Sequence, residues 1–257
     1  MLKVRIIPTL LIKNVGLVKG VKFDSWRRVD TILPAIKVYN MREVDELIVM
    51  DIMASQENRE PDYETIAEFA EECFVPLTVG GGISSLAHIR NVLLAGADKV
   101  CINSAAYENL SLIRDASDRF GAQCIVCGID FKKLSDGTYS CFSHAGKKDQ
   151  GIDPIKWARE LLQAGAGELI ATSIDLDGTM LGYDLKIISE ISNEVSIPVI
   201  ASGGAGNYQH MLEAIKNAGA SAVAAASIYH FTQQTPLEAK RFLESHGIPV
   251  RKYRIVK

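Results

Sequence analysis

Eight short apolar runs recur along the chain, separated by longer segments with helical periodicity. The runs are mostly continuous rather than alternating, which is typical of strands buried on both faces of a parallel sheet. The intervening segments carry helix signals, such as Ser84 as a cap before Leu86 and the capping-box sequence at 235–238. The predicted strands are 5–12, 46–52, 77–81, 99–103, 123–130, 168–173, 199–202 and 222–227.

The second half of the chain resembles the first. Segment 76–82 is similar to 198–204, and 45–48 to 167–170, both at an offset of 122 residues. Eight β–α units in two similar halves predict an α/β fold, a (βα)8 TIM barrel with a half-barrel internal repeat. An open doubly wound sheet is the alternative, because a sequence determines strand order poorly. The length of 257 residues fits one barrel domain spanning 1–257.

Charge and cysteine content exclude several functional classes. The net charge of −3 indicates no general attraction to nucleic acid or to an anionic membrane. The opening segment 1–12 is apolar but carries Lys3, Arg5 and Pro8, so we expect neither a signal peptide nor a membrane span, and a cytoplasmic protein. The five cysteines are an odd number and are expected to be free thiols. We recognise no cofactor or metal motif.

Two acids follow predicted strands. Asp130 ends the run 123–130, and α/β barrels place their chemistry at the carboxyl ends of their strands, so Asp130 is the first catalytic candidate. The alternative is a carboxylate that caps its loop or pairs with a lysine. Asp177, in the pair Asp177-Gly178, adds a second acid near the end of the sixth strand, or serves only its own turn.

Glycine-rich strand ends at 80–82 and 202–204 predict two anion sites. Each is followed by a helix pattern and then by a strand ending at 103–104 or 226–227. Backbone N–H groups at glycine turns and helix starts bind phosphate well, although tight turns alone also explain such glycines. Two copies half a barrel apart predict an elongated ligand with two phosphates. The expected contacts are Gly81, Gly82, Asn103, Ser104, Thr172, Asp177, Gly178, Ser202, Gly203, Gly204, Ala226 and Ser227.

A basic segment, 13–22, follows the first strand and contains Lys19. We interpret it as a mobile loop that closes over phosphate, with a solvated surface loop as the alternative. At the opposite end of the barrel, four charged residues stand at strand starts, where apolar filling is expected: Arg5, Glu46, Lys99 and Glu168. Since buried charges must be paired, they predict a salt-bridged ring that either plugs the barrel or gates it.

These residues carry a resemblance over nearly the whole chain. The diagnostic pieces are Arg5-Ile6-Ile7-Pro8, Asp45-Glu46-Leu47, and the segments 79–83, 96–100, 167–169, 172–175, 177–179 and 200–206. The chain resembles the cyclase subunit of imidazole glycerol phosphate synthase. The resemblance implies a glutaminase partner docked on the N-terminal face and ammonia passing through the barrel to a phosphorylated substrate. It also implies that the four charged residues are the ammonia gate, that Asp98 lies at the glutaminase interface, and that Asp130 is one of two catalytic aspartates.

The position of the other aspartate holds Leu11, which can neither give nor take a proton. In Leu11 and the segment 18–23, the chain resembles a paralogous branch of the family that is linked to acetamidino-sugar modification in surface polysaccharides. The sequence therefore favours an ammonia-conducting subunit that serves a separate sugar amidotransferase. A genuine histidine-biosynthesis cyclase, which turns a bisphosphorylated ribotide and ammonia into imidazole glycerol phosphate and AICAR, is the alternative. A non-catalytic module that activates the glutaminase is a third interpretation.

Overall fold

A computed structural model describes residues 3–14 and 16–251 of the chain. Its strands are β1 (Arg5–Lys13), β2 (Gly16–Val21), β3 (Asp24–Asp30), β4 (Leu47–Asp51), β5 (Leu77–Gly80), β6 (Lys99–Ile102), β7 (Ile125–Lys133), β8 (Tyr139–Ser143), β9 (Lys148–Asp149), β10 (Glu168–Ser173), β11 (Val199–Ser202) and β12 (Ala222–Ala225). Eight of them run parallel in the order β10-β11-β12-β1-β4-β5-β6-β7, and β7 pairs with β10 to close the barrel. The predicted (βα)8 barrel is confirmed.

The helices lie outside the barrel, in the segments between strands; two short helices begin at Ser104 and Ser227, where the sequence predicted strand ends. Those in the described part of the chain are α1 (Ile32–Met41), α2 (Tyr63–Glu72), α3 (Leu86–Leu94), α4 (Ser104–Glu108), α5 (Ser111–Phe120), α6 (Pro154–Gln163), α7 (Leu185–Glu194), α8 (Tyr208–Lys216), α9 (Ser227–Phe231) and α10 (Pro236–Ser245). None of these helices has the length and apolar character that crossing a bilayer requires.

Two local predictions had different outcomes. The capping box at Thr235 and Glu238 is confirmed, with each side chain bonded to the other residue's backbone N–H. The predicted cap at Ser84 is wrong by one residue. Ser85 is the N-cap of α3, because its side chain accepts the His88 N–H.

The strand predicted at 123–130 is shifted. Residues Ala122–Cys124 form one turn of 3-10 helix, and β7 begins at Ile125. The strand continues past Asp130 to Lys133, because its last four residues pair antiparallel with β8. Asp130 therefore lies where β7 leaves the parallel barrel rather than at the end of the strand.

Antiparallel ribbons follow the first strand of each half-barrel, and the sequence prediction missed both. Strands β2 and β3 follow β1, while β8 and β9 follow β7. The segment predicted as a mobile basic loop is thus mostly β-structure, apart from Val15, which lies outside the described residues. Both β1 and β7 are nine residues long, and the short helices α4 and α9 occupy equivalent places in the two halves, which agrees with the internal repeat.

Two apolar layers stabilise this arrangement. One fills the space between the strands and the surrounding helices, and alternate strand residues such as Ile6 and Leu10 point into it. The other fills the barrel lumen with smaller and branched side chains, namely Ile7, Ile48, Cys101, Val126, Ile170, Ile200, Ala222 and Ala224. The lumen therefore separates two polar ends of the barrel.

Candidate functional site

A cavity of about 320 Å³ opens at the carboxyl ends of the barrel strands. Side chains from both ribbons also line it, so we call it the mouth cavity. The structure brings into this one cavity Asp130 and every residue predicted to contact phosphate or substrate, namely Lys19, Gly81, Gly82, Asn103, Ser104, Thr172, Asp177, Gly178, Ser202, Gly203, Gly204, Ala226 and Ser227.

Asp130 lies partly buried in the mouth cavity, with its side chain on the lumen side of β7. The Asn103 side-chain amide donates to its Oδ2 atom at 2.7 Å. Burial raises the pKa of Asp130 to about 7, and the nearby negative charge of Asp177 contributes, while hydrogen bonds from Thr172 and Asn103 act in the opposite direction. A carboxyl group with this pKa exchanges protons readily near neutral pH.

Lys19 forms an ion pair with Asp177 at the mouth. Its Nζ atom lies 2.8 and 2.6 Å from the two carboxylate oxygens, and only 3% of Lys19 is exposed. The Lys22 N–H donates to the Asp177 carbonyl at 2.8 Å. A Cβ atom on Gly178 would lie 2.3 Å from the Gly20 carbonyl oxygen, so glycine permits this close approach. The first ribbon therefore covers the mouth with a buried cation rather than with a solvated loop.

Leu11 occupies the same cavity on β1, where its backbone pairs with Met50 on one side and Val18 on the other. Its side chain offers the mouth an apolar wall. Two positions earlier on the strand, the Thr9 hydroxyl is buried and has no hydrogen-bond partner among the described residues. Strand β1 therefore presents no carboxylate to the cavity at Leu11, where the resemblance places one.

The two glycine-rich strand ends both lie at the mouth. Gly81, Gly82, Gly203 and Gly204 all have positive φ values, between 71° and 112°. A Cβ atom on Gly204 would lie 1.9 Å from a neighbouring carbonyl oxygen, so a larger residue is excluded there. Each strand end is accompanied by an unsatisfied polar atom: Asn103 Oδ1 in the first half and Ser227 Oγ in the second are buried without a partner in the described chain. Such groups indicate that a polar ligand completes the site.

The opposite end of the lumen is closed by four charged residues, the charged ring. Arg5 pairs with Glu46 at 3.0 Å and also with Glu168. Lys99 bridges the same two carboxylates at 3.1 and 3.0 Å. The two acids are almost completely buried, and the two positive charges neutralise them.

The amino-terminal face around the charged ring exposes large apolar side chains. Met41, Phe74 and Leu94 are 83%, 80% and 70% exposed at the ends of α1, α2 and α3. The Phe74 N–H donates to the Asn40 side chain, which brings the ends of α1 and α2 together. Asp98 is exposed on the same face and accepts the Leu77 N–H at 2.8 Å. Exposed apolar side chains grouped beside polar residues are typical of a protein interface.

The comparison with known proteins decides the family. A family model described as "Histidine biosynthesis protein" matches residues 5–235. The chain belongs to this family. One relative, imidazole glycerol phosphate synthase subunit HisF of Chloroherpeton thalassium, is 47% identical over 251 residues, which cover 98% of this chain and 100% of the relative. The chain is therefore HisF-like over almost its whole length.

Sequence reasoning missed several residues of the HisF-like mouth. Asp51 ends β4 in the cavity and binds Arg59 at 3.0 Å, and the signal that selected Asp130, an acid closing an apolar run, was available for it. Phe23 and Trp26 come from the first ribbon and His144 from the turn of the second. These three lie in segments without apolar periodicity, so no sequence pattern selected them.

The raised pKa of Asp130 predicts a pH-dependent stability difference. The folded protein favours protonated Asp130, so its stabilising contribution is complete below pH 4 and is lost as pH rises through about 7. The asparagine of Asp130→Asn does not ionise, so the unfolding free energy of the variant lacks this pH dependence. Between pH 5 and pH 8 we expect the unfolding free energy of the variant, relative to wild type, to rise by about 2–3 kcal/mol. Urea unfolding of both proteins at the two pH values measures this change, and a constant difference would contradict the assignment.

Proposed function

We propose that this chain is the ammonia-dependent cyclase subunit of an imidazole glycerol phosphate synthase. It would convert a bisphosphorylated ribotide and ammonia into imidazole glycerol phosphate and AICAR. The observation that carries the proposal is the position of Asp130, whose pKa is about 7, in one cavity with two glycine-rich strand ends. The 47% identity to a protein of that name supports the same reaction.

The mouth cavity suits an elongated ligand with a phosphate at each end. In this proposal the Gly81-Gly82 and Asn103-Ser104 segments bind one phosphate, and the Gly203-Gly204 and Ala226-Ser227 segments bind the other. Asp130 then faces the middle of the ligand as general acid or base. Asp177, held by Lys19, is the group placed to carry the second proton transfer, since Leu11 has no proton to exchange.

Ammonia would enter from the amino-terminal end. The charged ring lies at that end of the lumen, and the apolar lumen leads from it toward Asp130. An apolar passage carries neutral ammonia and excludes ammonium, because an ion loses its hydration there. In this proposal the charged ring is the gate of that passage, and a HisH-like glutaminase docks over it.

The exposed apolar face provides a test of the partner. We expect Phe74→Glu to weaken binding of a HisH-type glutaminase by at least about tenfold, because it places a charge within the interface. Leu181→Glu is the matched control, since Leu181 is 76% exposed in the loop after β10, at the opposite end of the barrel. Titration calorimetry on the purified proteins measures both. Equal affinities of the two variants would contradict the docking site.

A second candidate function rests on Leu11. An apolar residue in place of an acid at the mouth fits a subunit that conducts ammonia but has lost cyclase activity. Such a subunit would supply a separate sugar amidotransferase in surface-polysaccharide synthesis. The named relative supports the cyclase and gives no support to sugar amidination. Turnover of the ribotide with ammonium as nitrogen source separates the two functions, because only the first consumes the ribotide.

A further inference from the structure

The turn that joins β8 and β9 has an unusual backbone. His144, Ala145 and Gly146 follow one another with φ values of 51°, 52° and 78°. Consecutive residues of this kind are typical of tight hairpin turns, and Lys22 and Phe23 in the β2–β3 turn also have positive φ values. Both His144 and Ala145 line the mouth cavity. The turn geometry therefore places the His144 side chain at the mouth.

The backbone of His144 is fixed to one of the expected phosphate-binding residues. Its N–H donates to Ser104 Oγ at 3.0 Å. Because the Ser104 oxygen accepts this bond, its own hydroxyl proton stays available for another acceptor. Ser104 and His144 both line the cavity. The turn of the second ribbon is therefore anchored at the Asn103-Ser104 end of the mouth.

A chain of hydrogen bonds determines which ring nitrogen of His144 carries a proton. The Gln150 side-chain nitrogen lies 2.6 Å from Ser143 Oγ and 3.5 Å from the Lys148 carbonyl oxygen. A carbonyl oxygen can only accept, so the NH₂ group of Gln150, not its oxygen, faces Lys148 and Ser143. The Ser143 hydroxyl is fully buried and lies 2.8 Å from Nδ1 of His144. Because its oxygen already accepts from Gln150, we assign its own proton to the bond with Nδ1, which leaves no buried donor unpaired. With Nδ1 accepting, the proton of the neutral ring is on Nε2.

We propose that His144 is a binding residue of the mouth, and that its Nε2–H donates to the phosphate group held at the Asn103-Ser104 end. The hydrogen bonds of the ring go through Nδ1, so Nε2 is left for a ligand. The ligand is a phosphomonoester, which combines strong acceptor oxygens with negative charge. The identity of the ligand as a bisphosphorylated ribotide rests on the proposed function. The binding of one phosphate group beside His144 does not.

The test uses variants that preserve the turn. His144→Asn keeps a residue that tolerates the left-handed backbone and removes the Nε2 donor. His246→Asn makes the same change at an exposed histidine at the end of α10, outside the cavity, so it is the matched control. We expect His144→Asn to weaken binding of the bisphosphorylated ribotide by about 10- to 100-fold, the loss typical of a hydrogen bond to a charged group. His246→Asn is expected to bind within about twofold of wild type. Titration calorimetry on the full chain gives these affinities.

Inorganic phosphate, titrated into protein labelled with ¹⁵N-histidine, provides an independent reading. The Nε2 resonance of His144 is the side-chain ¹⁵N signal that is present in the NMR spectrum of wild type and absent from that of His144→Asn. We expect the chemical shift of this signal to change when phosphate is added to wild type. Ribotide binding that is unchanged in His144→Asn, with no phosphate-dependent shift, would overturn the role of His144 and leave the proposed function standing. A phosphate-dependent shift in a protein that binds no ribotide would support His144 and overturn the proposed function.

Discussion

Asp130→Asn is expected to lower ammonium-supported turnover of the ribotide by about 10²- to 10⁴-fold, the range typical of losing a general acid–base group. The substitution keeps the size of the side chain and an oxygen that accepts the Asn103 amide, so the cavity retains its shape. It removes a carboxyl group whose pKa, about 7, suits proton exchange at neutral pH. Ribotide affinity should change much less than turnover, because the variant still accepts the hydrogen bond from Asn103 and so keeps that phosphate-binding residue in place.

The matched control for this loss is Asp175→Asn. Asp175 lies on the loop after β10 and accepts the Lys133 N–H at 2.9 Å, but it does not line the mouth cavity. We expect its turnover to stay within about threefold of wild type. Steady-state kinetics with saturating ammonium, without a glutaminase, compare the three proteins directly. A turnover rate of Asp130→Asn above one tenth of the wild-type rate would show that Asp130 is not a general acid or base of the reaction.

The second large effect concerns the charged ring. Arg5→Ala should lower the unfolding free energy by about 3–5 kcal/mol, because the buried Glu46 and Glu168 then keep Lys99 and only a partly exposed Arg251, 3.7 Å from Glu46. Adding Glu168→Gln to Arg5→Ala should recover part of this loss, since it removes the buried carboxylate that lost Arg5 and leaves Glu46 paired with Lys99 at 3.1 Å. Urea unfolding of the single and double variants measures both effects.

A surface ion pair serves as the control for the ring. Lys37 pairs with Glu72 at 3.0 Å, but the two side chains are 57% and 39% exposed. Lys37→Ala should cost less than about 1 kcal/mol, because water screens both charges. If Arg5→Ala lowers the unfolding free energy by no more than Lys37→Ala, the four charges do not form a buried network. That result would contradict the proposed gate.

The barrel was predictable from the sequence because its strands are buried on both faces. Strands β10 and β11 were predicted to the residue, since apolar runs of this kind have few alternatives. The ribbons were not predictable in the same way. Their residues alternate irregularly, and strand β3 contains charged side chains that are mostly exposed. Tertiary pairing with the extensions of β1 and β7, rather than local preference, holds these segments in β-structure.

The site was predicted where glycine or an acid stood at a strand end, and incompletely elsewhere. Lys19 was expected in a mobile loop, yet its burial depends on Asp177, 158 residues away, which no local pattern indicates. His144 and Trp26 enter the cavity from the ribbons, so their role becomes visible only once the ribbons are placed. The charged ring, in contrast, was predictable because charges at the start of buried strands must meet inside the barrel.

Turnover of the ribotide by this chain alone decides whether it is a cyclase despite Leu11. Wild type, Leu11→Asp and Asp130→Asn are assayed for ribotide turnover with saturating ammonium. We expect wild type to be active and Asp130→Asn to be nearly inactive. Leu11→Asp should change the wild-type rate by less than about tenfold, because Asp177 already supplies the second group. An inert wild type that gains activity with Leu11→Asp would contradict the cyclase function and identify an ammonia-conducting subunit whose cyclase chemistry has been lost.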